Sequence, residues 1–486
     1  MTVSLRDDAV STVPLWAKWL DGIALVCLAV SVGAALSPAR VRIDFGLGSV
    51  SVETPWRSLL LALLIVGVRH WRVPRPHLGE RVINWALGLR RPAFVLSARM
   101  LIATRLPILL TGYLATLTIG VSPTVTGRIS HDPLRDLPAR WDALWYTDIA
   151  RTGYKYDPRL GANEQQNIVF FPAYPMMMRT LGAFTIPTRT ELMGYDEYLE
   201  IQKVRLVWGG LLISLVAFFF AVVLVYRWAE LRAGAETAAA TVVLMSAYPF
   251  SVYFSAPYTE AVFLLLAAGA SYAFERGRLT LAGAAGLLAG LTRPNGAMLS
   301  LAFAILALAP ARRREPGWIP RTAGGLLAAA MPGIGVLLYS TFIYGLSGNP
   351  WAWMEAQTAW GRQSDLTAEH YRWVFRTLVN EGVLAYIRAD PVEVVQTVTV
   401  AFSLVMVWPV WRRVGPAYAV FMLATLLPPL FRGGVLSLGR FTATLFPQFL
   451  ALALYLPPER RTSWIIAFSI GQGLIAAVFY TWRPIY

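Results

Sequence analysis

The sequence alternates between long apolar runs and short polar segments along nearly its whole length. About thirteen apolar runs can be counted, at residues 20–36, 59–68, 101–121, 206–226, 238–254, 261–274, 279–291, 297–308, 324–344, 394–410, 417–430, 441–456 and 464–480. A helix of about 20 apolar residues crosses the hydrocarbon core of a bilayer with its backbone hydrogen bonds satisfied internally. The pattern therefore predicts an all-α polytopic membrane protein with about thirteen transmembrane helices.

Three of the runs are short for a full span. The run at 59–68 is expected to extend at both ends, and the runs at 279–291 and 297–308 are separated by the segment T-R-P-N-G at 292–296. Such segments cross a bilayer when they are tilted, half-inserted or packed inside a bundle.

Basic residues cluster in alternate gaps between the runs. These clusters lie at 69–91, 227–232, 276–278, 312–314, 412–413 and 460–461. Arginine-rich loops stay in the cytoplasm. We therefore expect a cytoplasmic N-terminus, with the two longest gaps, about 122–205 and 345–390, on the outer side.

The chain divides at about residue 100 in this interpretation. Residues 1–100 are expected to form a two-helix membrane extension with a basic cytoplasmic segment, and residues 101–486 form one membrane domain. Between the first two runs, residues 41–45 and 50–53 alternate apolar and polar around two glycines. This alternation predicts a small exposed hairpin.

Composition agrees with a membrane protein. The 486 residues are 56% hydrophobic and 15% charged, whereas soluble domains carry about 25% charged residues. The net charge of +15 comes from arginines between apolar runs, so nucleic acid is not an expected partner. The single cysteine, Cys27, cannot form an internal disulfide or a thiolate metal site, and the four histidines are scattered.

The segment at 140–150, R-W-D-A-L-W-Y-T-D-I-A, lies outside the apolar runs and is rich in aromatic residues. Trp141, Trp145 and Asp148 recur at helical spacing. Asp142 and Tyr146 belong to the adjacent stripe. Because Trp and Tyr favour the membrane–water boundary, we predict a helix on the membrane surface that presents an acid at the lipid boundary.

This segment, continuing to G-Y at 153–154 and F-F-P-A-Y-P at 170–175, resembles the first luminal loop of the second mannosyltransferase of GPI-anchor assembly (PIG-V type) and its bacterial relatives. Further matches are F-S-A-P-Y-T-E at 254–260, R-P-N-G at 293–296 and G-R-F at 439–441. The likeness extends from about Leu101 onward. It implies a GT-C-type bundle, an integral-membrane glycosyltransferase and a polyprenyl-phosphate sugar as donor.

Transfer of a sugar from a lipid phosphate needs a base for the acceptor hydroxyl and cations for the leaving phosphate. Asp142 is the candidate base, and Arg293 and Arg440 are candidate phosphate ligands, because guanidinium binds phosphate through two parallel hydrogen bonds. Asp148 and Glu260 are secondary acids. Asp148 is the better candidate for a structural or acceptor-positioning acid, and Glu260 starts a helix, where the macrodipole alone favours an acid.

Other interpretations of these residues stay open on the sequence alone. Asp142 could cap its helix or pair with Arg140, and the two arginines could be interfacial side chains whose charge reaches the lipid headgroups. Acceptor, sugar or interface contacts are assigned to a group of mostly aromatic residues: Trp141, Trp145, Tyr146, Gln165 and Tyr174. Membrane anchoring explains the aromatic members equally simply, and a polar loop needs no ligand to explain Gln165.

Taken together, these features predict transfer of a mannosyl residue from a polyprenyl-phosphate donor to a lipid or glycan hydroxyl, with inversion, on the non-cytoplasmic face of a bacterial plasma membrane. Mannose as the sugar is implied by the resemblance, as is a reaction that needs no divalent metal or other cofactor. Two alternatives are a transporter or flippase of lipid-linked sugars and a ligase or polymerase that moves a whole glycan. A transporter more typically shows symmetrical halves with paired broken helices.

Overall fold

The computed structural model describes residues 14–36, 41–44, 49–52, 55–74, 92–123, 125, 127–160, 164–187, 190, 193–309, 317–361 and 364–485. Within these residues the regular secondary structure is helical apart from one short hairpin, β1 (Val41–Asp44) and β2 (Ser49–Val52). Residues 75–91 of the basic cluster at 69–91, and the whole basic cluster at 312–314, lie outside the described residues.

The helices are labelled in chain order. They are α1 (Leu15–Leu36), α2 (Pro55–Arg72), α3 (Pro92–Met100), α4 (Leu106–Thr118), α5 (Pro133–Asp136), α6 (Asp142–Thr152), α7 (Ala173–Thr185), α8 (Tyr195–Ala247), α9 (Glu260–Glu275), α10 (Leu279–Thr292), α11 (Leu299–Ala307), α12 (Trp318–Ser347), α13 (Ala352–Glu355), α14 (Ser364–Asn380), α15 (Val383–Ala389), α16 (Pro391–Arg413), α17 (Pro416–Gly433), α18 (Leu438–Ala443), α19 (Phe446–Tyr455) and α20 (Pro458–Tyr480). A π-helical turn, Leu101–Arg105, joins α3 to α4. Short 3₁₀ turns occupy Asn167–Val169, Pro249–Ser255, Pro294–Met298 and Ala356–Trp360.

Five helical segments among the described residues are long and apolar enough to cross a membrane. They are Pro92–Thr118, Tyr195–Ala247, Ile319–Ser347, Pro391–Arg413 and Pro458–Tyr480. A sixth span results if Pro249–Ser255 and α9, bent by 100° at their junction, are counted together. The chain is thus a polytopic integral membrane protein, whereas the count of about thirteen spans stays a prediction.

The apolar runs fall on helices, but one predicted run is interrupted. The range labelled α8 consists of two helices that meet at a kink at Gly234, whose φ of 79° suits glycine. The runs at 206–226 and 238–254 therefore lie on separate helices, as expected, although the second run continues past Ala247 into the 3₁₀ turn Pro249–Ser255. The run at 441–456 is split into α18 and α19, and the Gln448 side chain donates 2.6 Å to the Thr442 carbonyl across the break. In addition, α8 already begins at Tyr195, inside the loop predicted at 122–205.

The chain divides into two compact units. The first comprises Met1–Val95 with Thr180–Tyr198. In it α1 packs against α2, a buried Asp21–Arg69 ion pair of 2.9 Å links the two helices, and β1 pairs antiparallel with β2. The paired strands match the predicted hairpin, although residues 45 and 53 of that prediction lie outside the described residues. The separation of 1–100 from 101–486 as domains stays a prediction.

The second unit comprises Leu96–Arg179 with Leu199–Tyr486 and contains the candidate site. At the C-terminal end of α9 it has a cluster of polar contacts around Glu275, here called the Glu275 cluster. The Glu275 carboxylate accepts hydrogen bonds from Trp228 (2.8 Å), Arg232 (2.7 Å) and Tyr418. These contacts join α8, α9 and α17, so the charge on Glu275 is compensated where the three helices meet.

The two long loops of this unit pack on α12 around an aromatic core. Phe171 from the first loop and Trp353 from the second meet at a ring-centroid distance of 5.1 Å, and Phe171 also lies 4.5 Å from Tyr339 of α12. The Tyr339 hydroxyl donates 2.7 Å to the Ile168 carbonyl. Buried aromatic pairs of this kind stabilise a fixed arrangement, so both loops are held beside the bundle.

Candidate active site

Four charged side chains from distant parts of the sequence converge in the second unit. Asp142 lies in the first turn of α6, Glu260 in the first turn of α9, Arg293 directly after α10, and Arg440 in α18. Arg440 Nη1 lies 2.5 Å from Asp142 Oδ2, Arg440 Nε lies 3.7 Å from Glu260 Oε1, and Arg293 Nη1 lies 2.8 Å from the same Glu260 oxygen. The four groups form a line in which acidic and basic side chains alternate.

Access to solvent differs along this line. The Glu260 side chain is 1% exposed and that of Arg293 is 7% exposed, whereas Asp142 and Arg440 are 14% and 16% exposed. Buried charges persist when opposite charges compensate them, which the alternation provides. The Asp142–Arg440 end is therefore the part of the line that a substrate can reach most directly.

The structure gives Asp142 and Arg140 different ion-pair partners. Arg140 pairs with Asp136 at 3.0 Å, and Asp142 pairs with Arg440. The N-cap residue of α6 is Trp141, whose side chain makes no capping hydrogen bond, and Asp142 is the first residue of the helix. Burial lowers the pKa of Arg140, and the nearby Asp136 carboxylate opposes that shift. Arg140 therefore has a structural partner of its own, and Asp142 turns to Arg440.

The backbone around Asp142 is held in an unusual conformation. Trp141 has a φ of 50°, in the region where a bulky residue is strained. The Asp142 amide donates 3.1 Å to the Tyr258 hydroxyl, which in turn donates 3.3 Å to the Arg140 carbonyl. Strained residues of this type cluster at functional sites.

Glu260 reaches the site because the chain bends sharply before α9. The 3₁₀ turn Pro249–Ser255 meets α9 at 100°, and Glu260 follows as the first residue of the helix. An acid is favoured there by the helix macrodipole. Its Oε1 nevertheless lies close to both Arg293 and Arg440, so the carboxylate also links the two guanidinium groups.

Phe441, the residue after Arg440, packs against Arg293. The Arg293 guanidinium lies 4.5 Å from the centre of the Phe441 ring. Neighbouring glycines permit close backbone approach. A Cβ at Gly296 would lie 2.3 Å from the Ala289 carbonyl oxygen, and one at Gly439 would lie 2.2 Å from Phe250. Gly439 lies within α18, where the Phe250 ring occupies the space that a Cβ would need.

The remaining predicted residues lie around this line or away from it. Asp148 is paired locally with Arg151 at 3.2 Å. The Trp145 ring lies 5.8 Å from Phe170, and the exposed Gln165 has no hydrogen bond to the described residues. Asp148 and Gln165 therefore lack contacts with the four converging charges.

Tyr146 and Tyr174 are buried beside the site. Their rings are 5.2 Å apart, and the Tyr174 hydroxyl donates 2.7 Å to the Gly210 carbonyl, which gives Tyr174 a structural role. Burial, with the Asp142 and Glu260 carboxylates nearby, raises the pKa of Tyr146. Tyr146 is thus a neutral phenol beside the charges.

Sequence reasoning assigned no role to two residues that contact this region. Tyr258 stands two positions before Glu260 in a quoted motif, and that position was an available signal. Trp482, whose ring lies 5.0 Å from Trp141, follows the last apolar run and carries no local signal. In the part of the chain that the structure describes, no group of three or more His, Cys, Asp or Glu side chains is arranged to hold a metal ion.

The spans and the buried ion pairs define a class: a polytopic integral membrane protein with a charged site where several helices end. Comparison with known proteins indicates a particular family. Residues 82–309, just under half of the chain, match the family described as mannosyltransferase (PIG-V). The matched part includes Asp142, Glu260 and Arg293, whereas Arg440 lies beyond it.

A curated relative agrees with this match. The chain is 30% identical over 166 residues to GPI alpha-1,6-mannosyltransferase 2 of Mus musculus. The aligned part is 34% of this chain and 30% of that protein, so the chain spans under a third of the relative's length. These findings confirm the resemblance predicted from the sequence motifs.

Among solved structures, the chain is similar to the oligosaccharyltransferase of Archaeoglobus fulgidus, solved in complex with Zn and sulfate. The identity is 13%, the TM-score is 0.35, and the similarity covers 77% of this chain and 53% of the other. A likeness at this level assigns no fold type, and the GT-C-type bundle stays a prediction.

Proposed function

We propose that this chain is a membrane glycosyltransferase that moves a mannosyl residue from a polyprenyl-phosphate donor to a hydroxyl of a lipid or glycan acceptor. The family match and the mouse relative support glycosyl transfer, and mannose is inferred from the same resemblance. The observation that carries the proposal is the contact between Asp142 and Arg440, with Arg293 close by. It combines a general base and phosphate-binding cations in one site.

Each side chain has a definite part in the proposed reaction. Asp142 Oδ2 accepts the proton of the acceptor hydroxyl while that oxygen attacks C1 of the sugar. The bond from C1 to the phosphate oxygen breaks, its electron pair stays with the polyprenyl phosphate, and the anomeric centre is inverted. Arg440 and Arg293 stabilise the charge that grows on the phosphate, which lowers the barrier because this charge is larger in the transition state.

Arg440 contacts both Asp142 and Glu260, so a donor phosphate has to share its guanidinium. An arginine has five N–H donors and can serve several acceptors. When Arg440 turns from Asp142 to the phosphate, the Asp142 carboxylate is released to accept the proton of the acceptor hydroxyl. Donor binding therefore prepares Asp142 for the acceptor.

The active site is proposed to face the non-cytoplasmic side. The positive-inside distribution of the basic clusters supports this orientation. As the resemblance implies, the proposed reaction uses no divalent metal, and addition of EDTA is expected to leave the transfer rate unchanged.

The test is transfer by the purified protein in detergent. Polyprenyl-phosphate mannose labelled in the sugar is incubated with a membrane lipid extract, and label is expected in a new product with release of polyprenyl phosphate. Polyprenyl-phosphate glucose is the matched control for the sugar. In proteoliposomes, movement of intact labelled donor across the bilayer without cleavage would instead identify a flippase.

A further inference from the structure

The segment that follows α20 packs against the loop that carries Asp142. The Tyr480 carbonyl, at the end of α20, accepts 2.7 Å from Arg140 Nε. Trp482 is 6% exposed, and its ring centroid lies 5.0 Å from that of Trp141 at an interplanar angle of 53°. Further along, the Ile485 carbonyl accepts 2.7 Å from the Tyr253 hydroxyl. Residues 480–485 are here called the 480–485 segment. This segment contacts Arg140 and Trp141, which directly precede α6, and also Tyr253.

This segment also reaches Asp142 by a second route. The Tyr253 ring lies 5.3 Å from the Tyr258 ring, and the Tyr258 hydroxyl accepts the Asp142 amide hydrogen. The ring of Trp482 therefore contacts Trp141, which directly precedes Asp142, and the carbonyl of Ile485 contacts Tyr253, which packs on the tyrosine that accepts the Asp142 amide hydrogen.

Backbone strain is concentrated at the same place. Three non-glycine residues in the described chain have a positive φ: Trp141 at 50°, Ser437 at 61° and Trp482 at 60°. Trp141 precedes Asp142, Ser437 lies three residues before Arg440, and Trp482 packs on Trp141. A left-handed conformation is strained for bulky residues and persists when the surroundings enforce it. Each of the two tryptophan rings supplies such a surrounding for the other.

We infer that Trp482 is a positioning residue for Asp142, in a reaction whose base the proposed function assigns. Its ring keeps Trp141 in the strained conformation, and that conformation directs the Asp142 carboxylate toward Arg440. When the ring is removed, Trp141 can relax to a negative φ, which moves the carboxylate away from the acceptor hydroxyl. A displacement of about 1 Å lowers the rate of such a step by up to about 10²-fold.

The experiment compares Trp482→Ala, Trp482→Phe and Trp482→Leu with wild type in the mannosyl-transfer assay. We expect Trp482→Ala to lower kcat at least ~10-fold, with KM for the donor changed less than ~2-fold, because the arginines keep their own supports. Trp482→Phe, which keeps an aromatic face, is expected to retain most of kcat. The matched control is Trp408→Ala on α16, whose side chain is 63% exposed and should not affect the rate.

A double-mutant cycle separates positioning from general stabilisation. Trp141→Ala and Trp482→Ala should be strongly non-additive in kcat, since each ring acts by holding the other. Thermal unfolding in detergent is measured for every variant. If Trp482→Ala does not fold, the Phe and Leu variants decide, and Phe must exceed Leu in kcat at equal Tm.

Three results would overturn the inference: wild-type kcat in Trp482→Ala, equal kcat in the Phe and Leu variants, or a loss that appears in donor KM. These results are distinguishable from failure of the proposed function. If Asp142→Asn is active, Asp142 is not the base, and the proposed function fails. If Asp142→Asn is inactive but Trp482→Ala is fully active, only the role of Trp482 is rejected.

Discussion

At the scale of single residues, the site depends on which cation each acid meets. Asp142 pairs with Arg440, Asp136 with Arg140 and Asp148 with Arg151. The last two pairs lie within one segment of chain and hold local structure. The Asp142–Arg440 pair joins two distant segments, so its loss affects chemistry as well as packing.

Replacement of Asp142 by Asn is expected to abolish measurable mannosyl transfer. The amide keeps the shape of the side chain but cannot accept the proton, and a general base contributes about 10² to 10⁴ in rate. Transfer of labelled mannose by the purified variant measures the loss. Asp148→Asn is the matched control, because its carboxylate pairs with Arg151 on the same helix and should affect the rate far less. More than about a tenth of the wild-type rate in Asp142→Asn would contradict the assignment.

Substitutions of Arg440 and Arg293 are expected to separate the effect of positive charge on turnover from the effect of guanidinium geometry. Arg440→Lys keeps the charge but loses the planar fork, so it should lower turnover less than Arg440→Ala, and Arg293 should behave alike. If both bind one phosphate, the double alanine variant should be strongly non-additive. Turnover and donor binding are measured for each protein, with Arg159→Ala as a control, since that side chain is 88% exposed. Additive losses would mean that the arginines do not share a phosphate.

At the scale of elements, close contacts between short helical pieces position the site. The α18 helix, which carries Arg440, lies against the 3₁₀ turn Pro249–Ser255 through Gly439 and Phe250. That turn leads through a sharp bend to Glu260. Local apolar pattern cannot encode this contact, because the Phe250 ring fills the space where a Cβ at position 439 would lie.

Gly439→Ala is expected to destabilise the protein by about 1–3 kcal/mol, the usual range for overpacking, and to lower transfer, since the new methyl group would lie 2.2 Å from the Phe250 ring. Thermal unfolding in detergent and the transfer assay measure the two effects. Gly473→Ala is the matched control. It lies in α20 with nothing within 4 Å of a new Cβ, so its effect on Tm should be neutral or stabilising by up to about 1 kcal/mol. Equal behaviour of the two variants would show that the close approach does not position α18.

At the scale of the whole molecule, polar clusters lie at both ends of α9. Glu260 belongs to the candidate site and Glu275 to the Glu275 cluster. The helix has 16 residues, which corresponds to about 24 Å. The two polar clusters are therefore separated by about the length of this helix.

Cysteine labelling tests which surface is outside. Single cysteines at Thr190 and Ser364, in a Cys27→Ser background, are expected to react with an impermeant thiol reagent in intact cells, because both positions lie in loops predicted outside. Arg278→Cys, in a basic turn, serves as the opposite control and should react after permeabilisation. The reverse labelling pattern would invert the topology and move the proposed active site to the cytoplasm.

The amino-acid sequence by itself determined the helical membrane class, because apolar runs of suitable length leave few other structures for the backbone in lipid. It also identified Asp142, Glu260, Arg293 and Arg440 as candidates, since ionisable groups near the bilayer are costly and usually functional. Local motifs were enough for that selection.

Only the tertiary structure decided how these residues combine. The partner of Asp142 lies 298 residues away, and Arg140, its neighbour in sequence, is taken by Asp136. The packing of Trp482 on Trp141 likewise joins segments that are distant in the sequence. Hydrophobic periodicity reports which face of a helix is apolar, but the pairing of polar groups depends on how the helices pack, and no local pattern carries that information.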